Sequence, residues 1–377
     1  ATRTSRSSPG APTTPATAPP AICQARKPRW RSAIDLQISK TKEMDMKLIF
    51  LSSLIFLCGV IMPTTVSANE KPLKIRSLFN IKSAFCNIKT NGVTGMDNRK
   101  SAYSGSGGGI SSTNSLLFLE NGTNEISIEI GSLDWFSEDQ NNKGNFGNFD
   151  PNASCKLELV RFKENKNISI ASINVKINEN GVPEGSSGGI TIVGRKIIAE
   201  QVEPGHIDND YFDSLFFPKG MELYEFKKQV IIDGIPDWDW IHATPYINNQ
   251  EQLQKLRSAY SEMSKIINSK NRNLLKDFDQ VALKAWSKTT GETEDDILAS
   301  QYPKERLEAG KVKIEPIIWS DYEVRVMNKG RIVQLYNKSK PTYSPLTYYY
   351  VNEDGEEMMS FFAPMFSLIN GKFVPVI

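Results

Sequence analysis

The residue types that most often carry out catalysis are scarce in this 377-residue chain. Only two histidines occur, His206 and His242, so a mechanism that depends on imidazole must use one of them. The sequence has neither the Gly-x-x-x-x-Gly-Lys loop that binds nucleotide phosphates nor the His-Glu-x-x-His motif of zinc proteases. Carboxylates are numerous, but the separation that glycosidase chemistry needs is a property of the folded chain. We therefore assign no catalytic residue and no cofactor from the sequence.

One group of residues has the spacing of a metal site. His206, Asp208 and Asp210 stand at positions i, i+2 and i+4. In an extended segment all three side chains point to one side, where one ring nitrogen and two carboxylate oxygens would coordinate a divalent cation. The alternative is a solvated loop between two domains, in which polar residues keep the backbone hydrated.

Residues 237–242 form an unusual run of acidic and aromatic residues. In order they are Asp237, Trp238, Asp239, Trp240, Ile241 and His242. An extended conformation predicts the two acids on one side and the two tryptophans with the histidine on the other. Such an aromatic surface stacks on sugar rings or holds a side chain of a protein partner. The alternative is that the tryptophans pack a domain junction.

A second group of aromatic residues lies in a loop rich in Asn and Gly. Its members are Trp135, Phe136, Phe146 and Phe149. Aromatic side chains on a polar loop are typical of binding sites for glycans or proteins. The alternative is that the loop covers one end of a β-sandwich.

The N-terminal segments differ in composition from the rest of the chain. Residues 1–45 hold six of the 20 prolines, and we expect a disordered leader or sequence upstream of a misplaced start. Residues 46–68 combine Lys47, a largely apolar run of 15 residues and small residues up to Ala68, as in a secretory signal peptide. The run is shorter than the roughly 20 residues that span a bilayer. We therefore expect a periplasmic or secreted protein without a membrane span after cleavage.

Removal of residues 1–68 changes the charge of the chain. The whole sequence has a net charge of +2, whereas the remaining 309 residues carry 36 basic and 40 acidic side chains. A slightly acidic protein gives no electrostatic reason to expect nucleic acid as the partner.

Export also bears on the cysteines. Only Cys86 and Cys155 follow residue 68. Two cysteines in an oxidising compartment indicate one disulfide, which would close a loop of about 70 residues. The alternatives are two buried free thiols or a metal pair, and the metal pair is disfavoured because no further Cys or His lies nearby.

Residues 69–235 have the pattern of a domain rich in β-strands. Apolar and polar residues alternate at 126–130, 168–170 and 173–177, as in strands with one face in a core. Further strands are expected at 115–120, 155–162, 189–199 and 221–232. About seven antiparallel strands at this spacing predict an N-terminal antiparallel β-sandwich.

Residues 236–377 predict an α+β domain. Apolar residues recur at helical spacing within 253–267 and 274–285. Thr293 begins a capping pattern for a short helix that stops before Pro303. Asx and Gly turns at 328–330, 354–355 and 370–371 then separate apolar runs, which indicates hairpins. We expect helices packed on one face of an antiparallel meander sheet.

The C-terminal strands and turns resemble those of a known bacterial family. Residues 344–350 (Ser-Pro-Leu-Thr-Tyr-Tyr-Tyr), 361–366 (Phe-Phe-Ala-Pro-Met-Phe) and 370–377 (Asn-Gly-Lys-Phe-Val-Pro-Val-Ile) make residues 73–377 similar to the IdsF family. Proteins of this family are encoded in self-recognition loci beside a type VI secretion apparatus. The resemblance implies an envelope protein of an enterobacterium that acts in recognition or competition between cells, and it brings no catalytic motif.

These features favour an exported, non-enzymatic protein that binds another protein. One alternative is a glycan-binding protein that uses the loop aromatics or the two tryptophans. Another is a cell-wall or polysaccharide hydrolase that uses carboxylates. A broad apolar patch would favour a protein partner, a shallow aromatic patch a glycan, and a close carboxylate pair beside an aromatic platform a hydrolase.

Overall fold

The computed structural model describes residues 72–137, 146–163, 166–201, 217–303, 312–338, 343–352 and 354–377. This part of the chain contains 18 strands and five α-helices. The strands are β1 (Lys74–Lys82), β2 (Phe85–Thr90), β3 (Val93–Asp97), β4 (Gly109–Asn114), β5 (Gly122–Gly131), β6 (Ser154–Phe162), β7 (Asn167–Ile177), β8 (Pro183–Ser187), β9 (Ile190–Ile192), β10 (Arg195–Ile198), β11 (Glu222–Ile232), β12 (Lys313–Ile314), β13 (Tyr322–Met327), β14 (Ile332–Asn337), β15 (Leu346–Val351), β16 (Glu357–Phe362), β17 (Phe366–Ile369) and β18 (Lys372–Pro375). The helices are α1 (Arg99–Tyr103), α2 (Gln250–Ser269), α3 (Arg272–Phe278), α4 (Gln280–Thr290) and α5 (Glu294–Gln301).

The N-terminal strands form two antiparallel sheets. The order in one is β4-β1-β6-β7-β8-β9 and the order in the other is β10-β11-β5-β2-β3. Alternate residues of both sheets, such as Leu157 in β6 and Ile128 in β5, belong to one buried apolar cluster. The alternation predicted at residues 126–130 is confirmed, because the three isoleucines of β5 face this core.

The chain passes from one sheet to the other at Val193 and Gly194. β9 is the edge strand of the six-stranded sheet, and β10 is the edge strand of the five-stranded sheet. A Cβ atom at Gly194 would lie 2.7 Å from the ring of Phe226, which is fully buried. Glycine is therefore required at this position, since the Phe226 ring fills the space where the sheets meet.

Residues 115–120 do not form the predicted strand. They contain a 3-10 helix, Leu116–Phe118. Leu116 and Leu117 are adjacent and both are buried, whereas a strand would send one of the two to the opposite face. The short helical turn buries both.

The helices confirm the predicted cap at Thr293 and the predicted stop before Pro303, and they show a further cap at Asn249. The side chain of Asn249 accepts a hydrogen bond from the amide of Gln252 and begins α2. Thr293 accepts from the amide of Asp296 and begins α5, which ends at Gln301. The buried face of α2 contributes to a second core cluster through Leu256, Tyr260, Met263 and Ile267.

The C-terminal strands form two antiparallel sheets. One has the order β12-β15-β16 and the other β13-β14-β17-β18. The predicted hairpins are present at β13/β14, β15/β16 and β17/β18. The single meander that we expected is divided, because β14 pairs with β17 and leaves the β15/β16 hairpin to pair with β12.

The molecule therefore belongs to the mixed α and β class and consists mostly of antiparallel sheets with five helices in its described part. Among these helices, none combines the length and the apolar character that crossing a membrane requires.

Side chains from both halves of the sequence meet at one buried contact region, which we call the junction. Glu120 accepts hydrogen bonds from Arg331 at 2.7 Å and from Lys329 at 2.5 Å. Asn328 donates to the carbonyl of Phe118 at 3.0 Å. The core of the two N-terminal sheets also includes Met327, Ile332 and Val376. The later elements are thus fixed to the earlier ones by apolar packing and by buried polar contacts.

Candidate functional site

The two tryptophans of residues 237–242 belong to the junction. Trp238 is 2% exposed and Trp240 is 1% exposed. Their indole N–H groups donate to the carbonyls of Leu116 and Leu117, at 3.2 and 3.1 Å. The predicted aromatic binding surface is therefore wrong, and the packing alternative holds, because each indole has both its ring and its N–H satisfied inside the protein.

The polar residues of the same segment lie on the surface. Asp237, Asp239 and His242 are exposed, and the ring of His242 contacts the two oxygens of Asp237 at 2.9 and 3.1 Å. His242 was expected beside the tryptophans. It lies on the opposite side because Asp239–His242 is a 3-10 helix, which ends the two-residue period of an extended segment.

The loop aromatics divide between core and surface. Phe136 is 3% exposed and belongs to a small cluster with Phe85 and Leu223. Trp135 and Phe146 are half-buried and stack on each other, with ring centroids 5.0 Å apart. Each ring therefore covers one face of the other. Phe149, also half-buried, packs against Tyr224 with centroids 6.2 Å apart.

The predicted metal ligands His206, Asp208 and Asp210 lie outside the described residues. Within the ranges that the structure describes, no group of three or more His, Cys, Asp or Glu side chains is arranged to hold a metal ion.

The two cysteines are neighbours in the core. Cys86 in β2 and Cys155 in β6 are fully buried free thiols, so the structure does not contain the predicted disulfide. Both thiols belong to the core cluster that the two N-terminal sheets share. Burial raises the pKa of the Cys86 thiol well above its usual range, and the contact with Cys155 raises it further.

Three exposed apolar side chains, including the most exposed one in the described part of the chain, lie in the segment that links the two N-terminal sheets. Eleven large apolar residues are exposed in the described part of the chain, and three of them fall within residues 190–198. Ile190 is 74% exposed, Val193 89% and Ile198 57%. We call residues 190–198, which comprise β9, Val193, Gly194 and β10, the edge ribbon. Single exposed apolar residues are common, but a concentration of them indicates a contact surface.

The backbone of the edge ribbon is also open on one side. β9 pairs with β8, β10 pairs with β11, and neither has a second strand partner among the described residues. Such strands expose N–H and C=O groups that can pair with another chain. Arg195 and Lys196 place charge beside this margin, although they are ion-paired with Glu225 and Glu222.

A row of paired charges crosses the outer face of the five-stranded sheet. Glu129 and Glu225 are direct neighbours on β5 and β11, and their side chains are only 7% and 9% exposed. Lys89 binds Glu129, whereas Arg195 and Lys227 bind Glu225 at 2.7 and 3.2 Å. Each carboxylate is occupied by a cationic side chain, so the pair is better explained as an ion network than as an acid and base couple.

A serine–lysine contact was missed in the sequence. Gly185, Ser187 and Gly189 have the Gly-x-Ser-x-Gly spacing of hydrolase nucleophiles, and the Lys228 amine bonds to the Ser187 hydroxyl. However, the motif spans β8 and a turn into β9 rather than a strand followed by a helix. Ser187 is 7% exposed and faces the interior. The spacing alone could have marked this serine, but its surroundings are those of a structural hydroxyl.

A buried acid lies between the helices. Asp279, between α3 and α4, is 2% exposed and accepts a hydrogen bond from the Tyr302 hydroxyl at 2.5 Å. Its Oδ1 atom has no hydrogen-bond partner among the described residues. Burial raises the pKa of Asp279 to about 7, although the bond from Tyr302 acts in the opposite direction. This group can affect stability, but it is too buried to meet a ligand.

Comparisons of the chain with protein-family models, with curated proteins and with solved structures found no match. Its function must therefore be inferred from its own residues, and the edge ribbon is the surface on which that inference rests.

Proposed function

We propose that this is an exported binding protein whose partner is another protein and whose contact surface is the edge ribbon. The observation that carries the proposal is the exposure of Ile190 on β9, of Ile198 on β10 and of Val193 between them, where neither strand has a second strand partner among the described residues.

Burial of these side chains would favour association. Full burial of a Val or Ile side chain contributes about 1.5–3 kcal/mol. A partner can also approach the backbone closely at Gly188 and Gly189, in the turn before the ribbon, where a Cβ atom would meet no other atom within 4 Å. An extended segment of the partner would pair with the open backbone and cover the apolar side chains, as in other cases of strand addition.

The two alternative functions have less support. A glycan would need open aromatic faces, whereas Trp238 and Trp240 are buried and Phe146 covers one face of Trp135. A hydrolase would need an accessible acid and base, whereas Glu129 and Glu225 are each ion-paired.

The remaining parts of the proposal come from the sequence. The signal pattern at residues 46–68 supports a periplasmic or secreted location, and the resemblance to the IdsF family supports a role in recognition or competition between bacterial cells. We infer that the two N-terminal sheets form a β-sandwich over residues 69–235, with their shared core as support, and that residues 236–377 form a second unit.

Site-specific photocrosslinking tests the contact surface. A benzophenone amino acid is placed at Val193 and, as a control, at Ile231, which is 75% exposed on β11. After irradiation of intact cells, we expect a defined crosslinked species from position 193 and none from position 231. Equal products from both positions, or no product from position 193, would contradict the proposal.

A further inference from the structure

The two buried thiols come from different sheets. Cys86 lies on β2 of the five-stranded sheet and Cys155 lies on β6 of the six-stranded sheet. A bond between them would join the sheets directly through the core that they share. It would also join positions about 70 residues apart in the chain, which removes considerable freedom from the unfolded state.

The backbone holds both cysteines in place. The amide of Cys86 donates to the side chain of Asn98 at 2.7 Å, and Asn98 in turn donates to the carbonyl of Ala84 at 2.9 Å. Cys155 is held between Ile81 of β1 and Val175 of β7 in the middle of its sheet. Both side chains belong to the one core cluster that the sheets share, and Cys155 is among the groups that raise the pKa of the Cys86 thiol, so the two thiols lie within reach of each other.

We propose that Cys86 and Cys155 are a crosslinking site that becomes an inter-sheet disulfide when the chain folds in the presence of a disulfide oxidant, and remains a thiol pair when it folds under reducing conditions. The thiolate of one cysteine attacks the disulfide of the oxidant, forms a mixed disulfide and releases one oxidant thiol. The second cysteine then attacks the mixed disulfide and releases the other. Two protons and two electrons pass from the cysteines to the oxidant.

Burial determines when this exchange takes place. Both residues are 0% exposed, and exchange requires a thiolate that the oxidant can reach. The raised pKa of Cys86 lowers its thiolate fraction further. The reaction therefore precedes closure of the two sheets, and the redox state in which the chain folds is retained afterwards. This inference is independent of the edge ribbon and of any partner.

Refolding of the full chain under two redox conditions tests the inference. Cys23 and Cys58 are replaced by serine so that only the two core cysteines remain. The unfolded protein is refolded with either a mixture of oxidised and reduced glutathione or dithiothreitol, then unfolded without reductant in the presence of a maleimide and weighed by mass spectrometry. We expect no labelled cysteine in a monomer that lacks two hydrogen atoms after oxidative refolding, and two labelled cysteines after reductive refolding. The oxidised form should unfold at a higher urea concentration.

Three outcomes would overturn the inference. They are two labelled cysteines after oxidative refolding, a disulfide between chains, or an oxidised form that unfolds at a lower urea concentration than the reduced form.

The timing of the reaction is tested by adding oxidised glutathione to the native reduced protein, which we expect to crosslink far more slowly than the refolding chain. Equal rates would show that burial does not control the reaction. A Cys155→Ala variant provides the control, with one labelled cysteine after reductive refolding.

Discussion

The junction and the edge ribbon use large apolar side chains in opposite ways. At the junction, Trp238 and Trp240 are at most 2% exposed, and their N–H groups bond to backbone carbonyls. In the ribbon, Ile190, Val193 and Ile198 are at least 57% exposed, beside a backbone that has no strand partner on one side within the part of the chain that the structure describes. The first region has completed its contacts within the chain, and the second has not.

This difference separates stability from function. Residues with complete internal contacts determine whether the chain folds, and their replacement leaves cavities or unpaired groups. Exposed apolar residues contribute little to folding, so their presence on an open strand edge requires another explanation. We therefore expect substitutions at the junction to change the free energy of unfolding by a large amount and substitutions in the ribbon to change it by a small amount.

Replacement of Trp240 should have the largest effect on stability. Trp240→Ala removes a buried indole, its hydrogen bond to Leu117 and a contact with the Arg331 guanidinium, which lies 5.2 Å from the ring centroid. We expect the free energy of unfolding to fall by about 3–5 kcal/mol, as measured by urea denaturation. A loss below about 1 kcal/mol, within the range of exposed sites, would contradict the assignment of this tryptophan to the core.

Asp279 gives an intermediate case, a buried side chain whose contacts are incomplete. Its pKa is raised to about 7 in the folded protein and is near 3.8 when unfolded. The folded state favours the neutral acid, so the contribution of Asp279 to stability is greatest below pH 4, falls as pH rises to about 7 and is constant above that. One pKa unit corresponds to about 1.4 kcal/mol, so the total loss is up to about 4 kcal/mol.

An Asp279→Asn variant isolates this contribution. Asparagine does not ionise, so the difference in unfolding free energy between the variant and the native protein should increase in favour of the variant from pH 4 to pH 7. Urea denaturation at several pH values measures the difference, in which the contributions of other carboxylates cancel. A difference that is independent of pH would show that Asp279 is already ionised at low pH in the fold.

The ion pairs of Glu120 should have a smaller effect. Glu120→Gln weakens the hydrogen bonds from Arg331 and Lys329, and we expect a loss of about 1.5–3 kcal/mol at pH 7. Burial raises the pKa of Glu120, but these two partners outweigh burial and the net shift is downward. The contribution is therefore present above the unfolded pKa and is lost as pH falls through the folded pKa. A loss that persists undiminished in acid would point to packing rather than charge.

Local patterns in the sequence predicted the parts of the fold that depend on neighbouring residues. The alternation at 126–130 gave part of β5, the cap at Thr293 gave α5, and the Asn-Gly pair at 370–371 gave the β17/β18 hairpin. Each of these patterns follows from the geometry of one element. The two-residue alternation expected for residues 237–242 failed at His242, because a 3-10 helix interrupts the extended segment.

The candidate sites depended on contacts between distant residues, and the sequence was less informative there. Residues 189–199 were predicted as one strand, but they change sheets at Gly194 to accommodate Phe226, 32 positions later in the chain. Whether a strand lies at an edge depends on the order of all the strands, which no local pattern contains. The exposure of Val193 depends on that order, and the burial of Trp238 depends on its contact with Leu116, 122 positions earlier in the chain.

Substitutions in the edge ribbon should have the smallest effect on stability and the largest effect on binding. Val193→Asp adds a charge at a side chain that is 89% exposed, so we expect the free energy of unfolding to change by less than about 0.5 kcal/mol. Ile231→Asp, at a residue 75% exposed on the adjacent strand β11, is the matched control. The two variants should unfold at similar urea concentrations, while only Val193→Asp loses the species that a benzophenone at Ile198 crosslinks in cells. If both variants keep that species, the ribbon is not the contact surface. If Val193→Asp unfolds as readily as Trp240→Ala, the ribbon belongs to the core, and the distinction between the two regions fails.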